Sequence, residues 1–315
     1  MSPGIPTFSI ILTTYNRLKH AQQAIESVLA QSWKDWELLV IDDGSTDGTA
    51  AWLSQLQDHR IRLYLHSHSG AVSASRNFGI ARSRGEWVAF LDDDDAWHPK
   101  KLARQRELHQ SHPEWRWSYT AVMRIDESGA RMAPNPNIPW HPLSGRIVLQ
   151  LLNLEASVAL PSVVVHRELL KQVDGFDETL YFSEDYDLWF RLARLAEAGV
   201  VDEELTLVRS HKGNRTAHEP RVNIAFMKSY EKFSLEASPT ERKVCRRRRA
   251  YHAVRLARQW LSIGNRRQAY QALFTAFKLR PHYPWAWRTL GKAVLQSWPR
   301  RANRVFDENL HRFAF

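Results

Sequence analysis

The amino-acid sequence predicts an α/β protein: a parallel sheet with helices on both faces, followed by a C-terminal helical region. Three observations carry this prediction. Short apolar runs alternate with helical patterns through the first 110 residues, at the spacing that parallel strands with helical crossovers require. Polar clusters follow several of those runs, as expected where strands end at a binding crevice. From about Asn223 onward the pattern is helical, with no clear strand.

Taken in order, Phe8–Thr13 is an apolar run followed by a helical pattern over Lys19–Gln31. Glu37–Ile41 and Ile61–Leu65 are the next strands, with helices predicted near Asp47–Gln57 and Val72–Ser83. Trp87–Leu91 is a fourth strand, and Pro99 opens a helix to about Gln110, proline being well suited to a first helical turn. Met132–Pro142, with four prolines, predicts a loop; Leu160–His166 predicts a short strand; Asp187–Leu195 predicts a helix. Lys212–Pro220 is polar. Ala250–Ile263, Arg267–Phe277 and Trp285–Gln296 then predict three helices, punctuated by Gly264-Asn265 and Pro281, in the rhythm of one degenerate tetratricopeptide-like unit. Stable arrays need about three such units, so a helical cap is the simpler expectation.

The 315 residues suffice for one large domain and a smaller appendage. No run of 18 or more apolar residues suggests a membrane span, the first residues do not resemble a secretory signal, and a lone Cys245 fits a reducing compartment. These features point to a cytoplasmic protein. Charge is unevenly placed. Residues 240–315 hold 18 Lys/Arg and 3 Asp/Glu, net 18 − 3 = +15, whereas residues 1–239 hold 26 and 31, net −5. Such a tail suits anionic lipid headgroups, nucleic acid or an acidic partner, and the first of these would place the protein peripherally at the inner face of the cell membrane. A solvated arginine-rich surface is the plain alternative. Arg300, Arg301, Arg304 and Arg312 with Phe306, Phe313 and Phe315 fit a basic amphipathic helix. A non-enzymatic module that binds nucleic acid or membrane through the basic tail, with Arg246–Arg249 docking nucleic acid and Trp260, Trp285, Trp287 and Trp298 stacking on it, is a further reading; the positions of these tryptophans mostly predict packing between helices, and no nucleic-acid partner is expected.

The polar clusters after three of the strands are Thr13-Thr14-Tyr15-Asn16, Asp42-Asp43-Gly44-Ser45 and Asp92-Asp93-Asp94-Asp95. Four adjacent carboxylates repel one another unless a cation or strong donors offset them. On a strand end, alternate aspartates would point the same way, and hard oxygen ligands suit Mg²⁺ or Mn²⁺. The alternative is a solvated turn capping the next helix. Asp42 and Asp43 can accept hydrogen bonds from a base or ribose, Gly44 allows close backbone approach, and Ser45 or Thr46 can cap a helix. Ser183-Glu184-Asp185-Tyr186-Asp187 precedes a helical pattern; Asp185 is either its cap or a general base.

Together these pieces resemble the family 2 glycosyltransferases over about residues 7–215. The resemblance rests on Ser9-Ile10-Ile11-Leu12-Thr13-Thr14-Tyr15-Asn16-Arg17; on Gln31 and Glu37 leading into Asp42-Asp43-Gly44-Ser45-Thr46-Asp47; and on Ser75-Arg76-Asn77-Phe78-Gly79. Gly85 leading into Phe90-Leu91-Asp92-Asp93-Asp94-Asp95, Gly175-Phe176-Asp177-Glu178 and Glu184-Asp185-Tyr186-Asp187-Leu188-Trp189 complete it. It implies the Rossmann-like A-type glycosyltransferase fold over residues 1–220, with a donor-binding part at about 7–111, an acceptor-binding part at about 112–220, and a basic helical region at 221–315. It also implies an inverting transfer from a nucleotide-diphosphate sugar, UDP-linked by family habit, to a glycan or lipid-linked acceptor. By the resemblance, Thr13, Tyr15, Asp42, Asp43 and Arg76 look like nucleotide contacts and Asp93 a ribose contact. Asp92 and Asp94 look like the metal-binding Asp-x-Asp pair for Mg²⁺ or Mn²⁺, joined by His211, and Asp185 looks like the base. Asp93 and Asp95 share the same spacing, so the frame stays open. A nucleotidyltransferase is the second enzyme reading; the absence of glycines from Thr13–Arg17 argues against it.

Overall fold

A computed structural model of the protein describes residues 4–134, 140–211 and 220–295. The chain forms two compact units, residues 1–214 and 215–315. The first is built on an eight-stranded sheet. Its elements are β1 (Phe8–Thr14), α1 (Leu18–Leu29), β2 (Trp36–Asp42), α2 (Thr49–Leu53), β3 (Ile61–Leu65), α3 (Val72–Arg82), β4 (Trp87–Asp92) and the two-residue β5 (Ala96–Trp97). There follow α4 (Lys101–Ser111), β6 (Trp117–Ile125), α5 (Val148–Leu152), β7 (Val164–His166), α6 (Arg167–Gln172), α7 (Glu184–Leu195) and β8 (Ala198–Arg209).

Sheet order is β3-β2-β1-β4-β7-β6-β8-β5. β3, β2, β1 and β4 are parallel, as expected from right-handed crossover units. The remainder departs from the parallel expectation: β7 runs antiparallel to β4 and β6, making the sheet mixed. β6 and β8 have no counterpart in the sequence reading. Buried polar residues hide them: Ser118 and Thr120 interrupt the apolar pattern of β6, and Thr120 meets Thr206 of β8 at 2.8 Å. Leu160–His166 is a strand only over its last three residues; Leu160–Ser162 forms a 3₁₀ turn, and Pro161 has no N–H to donate to a ladder.

The central strands are apolar on both faces, with Phe8, Ile10, Leu12, Leu38, Val40, Ala89 and Leu91 in one buried cluster. Motif residues away from the strands' carboxyl ends stitch this layer together. Glu37 accepts from Ser9 Oγ at 2.6 Å and from the Arg84 backbone at 2.7 Å. Gln31 joins α1 to α4 by accepting from the Leu102 amide and donating to the His98 carbonyl. Gly79 lets α3 lie directly on β1, because a Cβ there would sit 2.7 Å from Ile11.

The second unit contains α8 (Pro220–Ser234), α9 (Pro239–Ser262), α10 (Arg266–Leu279) and α11 (Pro284–Leu295). A capping box between Ser238 and Glu241, with Pro239 in the first turn, starts α9 well before the Ala250 predicted from apolar spacing. Ala253, Ala257, Ala276 and Ala286 surround Leu273 in its core. Trp260 packs against that core; Trp285 and Trp287 are 48% and 57% exposed, although the Trp287 ring meets Phe277 of α10 at 4.6 Å. Trp298 and the amphipathic helix expected over 300–315 lie outside the described residues, as do residues 135–139 of the predicted loop and 212–219 of the polar segment. No described helix is long and apolar enough to cross a membrane.

Lys101 is fully buried on α4, where its Nζ donates to Gln105 Oε1 at 2.7 Å and lies 4.1 Å from the Trp97 ring centroid. Burial holds its pKa well below the ordinary 10.5. A base with a lowered folded pKa costs stability as pH falls from the unfolded value through the folded one. Lys101→Met is therefore expected to raise stability at pH 7 by about 1 kcal/mol or more, the gain shrinking as pH climbs past about 10. Thermal unfolding across that range measures it.

Candidate active site

The site is assembled at the carboxyl ends of β1, β2 and β4. β4 ends at Asp92, and Asp93 and Asp94 form a turn closed by the Asp95 amide on the Asp92 carbonyl at 3.1 Å. Strand alternation therefore does not govern the four aspartates; the turn sends each to its own partners. Asp92 receives Arg76 Nη2 at 2.8 Å. Asp93 turns inward to Thr14 Oγ1 at 2.9 Å and Arg17 at 3.0 Å. Asp94 receives Arg17 at 2.7 Å and meets His211 Nε2 at 2.9 Å. Asp95 accepts the Arg209 backbone amide at 2.8 Å, while the Arg209 side chain donates to the Asp94 carbonyl.

These surroundings act differently on Asp93, Asp94 and Asp95. Burial, then the charge of Asp94, pushes Asp93 up to about 6. Burial, then Asp94 and Asp92, holds Asp95 well above the ordinary range. Burial also acts to raise Asp94, but the His211 hydrogen bond and the Arg17 charge outweigh it and keep Asp94 below that range.

The donor set suits a hard divalent cation. Asp92, Asp94 and Asp95 each offer a carboxylate oxygen, and the three lie within 4.8 Å of one another. His211 stands beside Asp94 with an imidazole nitrogen, also a transition-metal ligand. Asp93, committed to Thr14 and Arg17, is not in this group. Of the two frames left open by the sequence, Asp92 and Asp94 thus share a cluster, with Asp95 as a third member.

The ends of β1 and β2 make a second region. Tyr15 follows β1 and stacks on His68 at 3.9 Å between ring centroids, 13° between planes. Asp43 Oδ1 accepts the Ser69 amide and hydroxyl, Oδ2 accepts the Gly70 amide at 3.0 Å, and His68 Nδ1 lies 2.9 Å away. Burial acts to raise the Asp43 pKa, and these donors more than offset it, leaving it lowered. Gly44, with φ +84°, is needed because a Cβ would approach the His68 backbone nitrogen to 2.8 Å; the close approach comes from the chain itself. Asp42 does not face the cleft: it is 1% exposed and accepts from Ser45 N and Oγ. With Ser45 so engaged, neither it nor Thr46 caps α2; Asp47 accepts the Thr49 amide instead. Thr13 pairs in register with Asp92 across the β1–β4 ladder.

Arg76 joins β4 to α7. Buried, it reaches Asp92 with one nitrogen and Glu184 Oε1 with the other at 3.0 Å. It therefore lies with the acidic turn rather than with Tyr15 and Asp43. Asp185 sits in the first turn of α7, not at its cap; Ser183, with φ +57°, precedes the helix. Burial, then the charge of Glu184, lifts Asp185 to about 7. Asn77 anchors the chain leading to α7 by bonding the Phe176 amide and carbonyl. Sequence reasoning assigned no role to Arg17, His68, Glu184 or Arg209. Arg17 and Glu184 lie inside the motifs already quoted; His68 and Arg209 carry no local signal.

A parallel half-sheet with carboxylates beyond β2 and β4, and a further acidic pair opening α7, is the arrangement of the A-type glycosyltransferase fold. The chain belongs to glycosyl transferase family 2, whose model matches residues 9–173. An uncharacterised glycosyltransferase of Rickettsia felis is 34% identical over 213 residues, 67% of this chain and 34% of that protein. The putative teichuronic acid biosynthesis glycosyltransferase TuaG of Bacillus subtilis is 44% identical over 106 residues, 33% of this chain and 42% of that one. The matched segments thus span 34% and 42% of these relatives' lengths. Among solved structures, the 1–349 portion of S. aureus TarS superposes with a TM-score of 0.65 at 20% identity, covering 87% of this chain and 81% of that one. The mannosyltransferase PcManGT of Pyrobaculum calidifontis, in complex with GDP-Man and Mn²⁺, gives 0.60 at 18% identity, covering 94% and 81%. At these identities the structures establish the shared fold.

Asp43→Ala leaves the Ser69 and Gly70 amides without their acceptor and is expected to cost about 2 kcal/mol at pH 7. Because the folded pKa is lowered, that contribution is present above the ordinary value of 3.8 and is lost as pH falls through the folded one. Urea denaturation of parent and variant should therefore show a difference that shrinks as pH falls below 3.8.

Proposed function

We propose that the protein is a metal-dependent, inverting glycosyltransferase that moves a sugar from a nucleotide-diphosphate donor to the hydroxyl of a glycan or lipid-linked acceptor, in the biosynthesis of a cell-surface polysaccharide. The observation that carries this is the Arg76 bridge, which binds the acidic turn after β4 to the start of α7 and so sets Asp92 and Asp185 in one site. The names of relatives support the pathway: TuaG, and the succinoglycan biosynthesis protein ExoO of Rhizobium meliloti. A UDP-linked donor is favoured because S. aureus TarS has been crystallised with UDP-GlcNAc.

On this reading residues 7–111 hold the donor and residues 112–220 the acceptor. Tyr15, His68 and Asp43 receive the base, with Thr13 and Asp93 towards the ribose and diphosphate. Asp92, Asp94 and His211, with Asp95, would hold Mg²⁺ or Mn²⁺; PcManGT was solved with Mn²⁺. The cation supplies Lewis-acid neutralisation of the leaving diphosphate. Arg76 keeps Asp92 and Glu184 in place. Asp185 accepts the proton of the acceptor hydroxyl as that oxygen bonds to the anomeric carbon and the bond to the diphosphate oxygen breaks. One direct attack inverts the anomeric centre. The basic segment 240–315 would keep the enzyme peripherally at the inner face of the cell membrane, beside a lipid-linked acceptor.

A screen of nucleotide sugars for donor hydrolysis or transfer, with Mg²⁺, Mn²⁺ or EDTA, tests the proposal; turnover that ignores EDTA contradicts it. Asp185→Asn is expected to lower kcat by a factor of about 10² to 10⁴ while donor affinity persists. Near-normal turnover would remove Asp185 as base. With Asp185 raised to about 7 and needed as carboxylate, kcat/KM should rise with pH through an apparent pKa at or below about 7, lower when a cation is bound nearby.

A further inference from the structure

The second unit carries a surface of unusual chemistry. From Arg242 to Leu295 the chain has fourteen lysines and arginines and no aspartate or glutamate. Large apolar side chains stand exposed on the same helices: Phe274 is 61% exposed, Trp287 57% and Trp285 48%. Two of them stand on helices in contact with each other, whereas Trp285, two residues from Trp287, lies on another side of α11. Tyr270, Phe274 and Lys278 follow one another at four-residue intervals along α10 and share a face. The Trp287 ring meets Phe277 of α10 at 4.6 Å, so the exposed faces of α10 and α11 are neighbours. Cations lie over these rings: Lys278 Nζ is 4.7 Å from the Phe274 centroid, and Arg258 and Arg288 are each 5.1 Å from that of Trp285.

We infer that the exposed face of α10 and α11 is a docking surface for an anionic phospholipid membrane, with Phe274 and Trp287 entering the headgroup layer and the basic side chains neutralising lipid phosphate and carboxylate. Charge complementarity selects an anionic partner. The apolar side chains choose among anionic partners: Phe274 and Trp287 gain nothing from a phosphate-lined groove but bury favourably at the boundary of headgroups and acyl chains. This deepens the peripheral location proposed above, names its surface, and is independent of residues 296–315.

The test is co-sedimentation of the full-length chain with vesicles of phosphatidylcholine alone and of phosphatidylcholine with about a third phosphatidylserine. Binding is expected to the anionic vesicles only and to weaken as salt rises. The double variant Phe274→Ser, Trp287→Ser should reduce it about tenfold or more. A second variant, Lys278→Glu with Arg288→Glu, reports the charge contribution separately, and circular dichroism checks the helix content of both. Equal binding to neutral vesicles, parental binding by either folded variant, or binding to an acidic polypeptide or RNA without vesicle binding would each overturn the inference. Donor turnover measured on the same preparations separates the two readings: full turnover without vesicle binding removes the docking surface and leaves the catalytic assignment standing.

Discussion

The structure depends on how four consecutive aspartates are accommodated at the end of a buried strand. Two charges about 4 Å apart interact by about 4 kcal/mol at the effective dielectric of a protein surface, a sizeable fraction of the net stability of a domain. Four such groups cannot all ionise unaided. The fold answers with a turn and a ring of cations. Arg17 is shared by Asp93 and Asp94, Arg76 by Asp92 and Glu184, and Arg209 holds Asp95 through its amide and the Asp94 carbonyl through its side chain. Two of the four carboxyls are left with raised pKa values, Asp93 and Asp95. An arrangement so dependent on counter-charge is one that a divalent ion would complete. Arg17, which holds Asp94 in the described structure, is the group such an ion would compete with.

Much of the first unit was legible in the sequence because its first half is locally encoded. β1 to β4 are short apolar or alternating runs separated by helical segments, and that spacing places them. The second half is encoded by tertiary contacts. β6 is recognisable only once Ser118 is seen to meet His109 Nε2 at 2.9 Å and Thr120 to meet Thr206. β8 carries three acidic residues where its register with β6 shifts, which breaks any alternation. The mixed character of the sheet follows from these strands, and no local pattern announces it.

The site divides in the same way. Asp92, Asp94 and Asp185 could be singled out because they stand in motifs shared with a known family, the first two also in a run of carboxylates that is costly unless its charge is offset. Their partners could not. His68 stacks on Tyr15 and touches Asp43 from a loop with no motif, and Arg209 reaches the acidic turn from a strand more than a hundred residues away. Asp42 differs from its neighbour: adjacent to Asp43 in sequence, it is buried and shapes the turn through Ser45. Gln31, Glu37 and Asn77 belong to the same motifs but hold helices, strands and loops in register. Shared motifs in this chain therefore mix residues that build the platform with residues that stand on it.

The central claim is that the acidic turn grips a divalent cation and, through it, a nucleoside diphosphate. Isothermal titration calorimetry of the folded chain with Mn²⁺, followed by UDP and by GDP in the presence and absence of Mn²⁺, measures this directly. The account predicts saturable Mn²⁺ binding, and nucleoside diphosphate binding that strengthens at least about tenfold when the ion is present. Nucleotide affinity that is unchanged by the ion, or an absence of heat for either ligand, would contradict it.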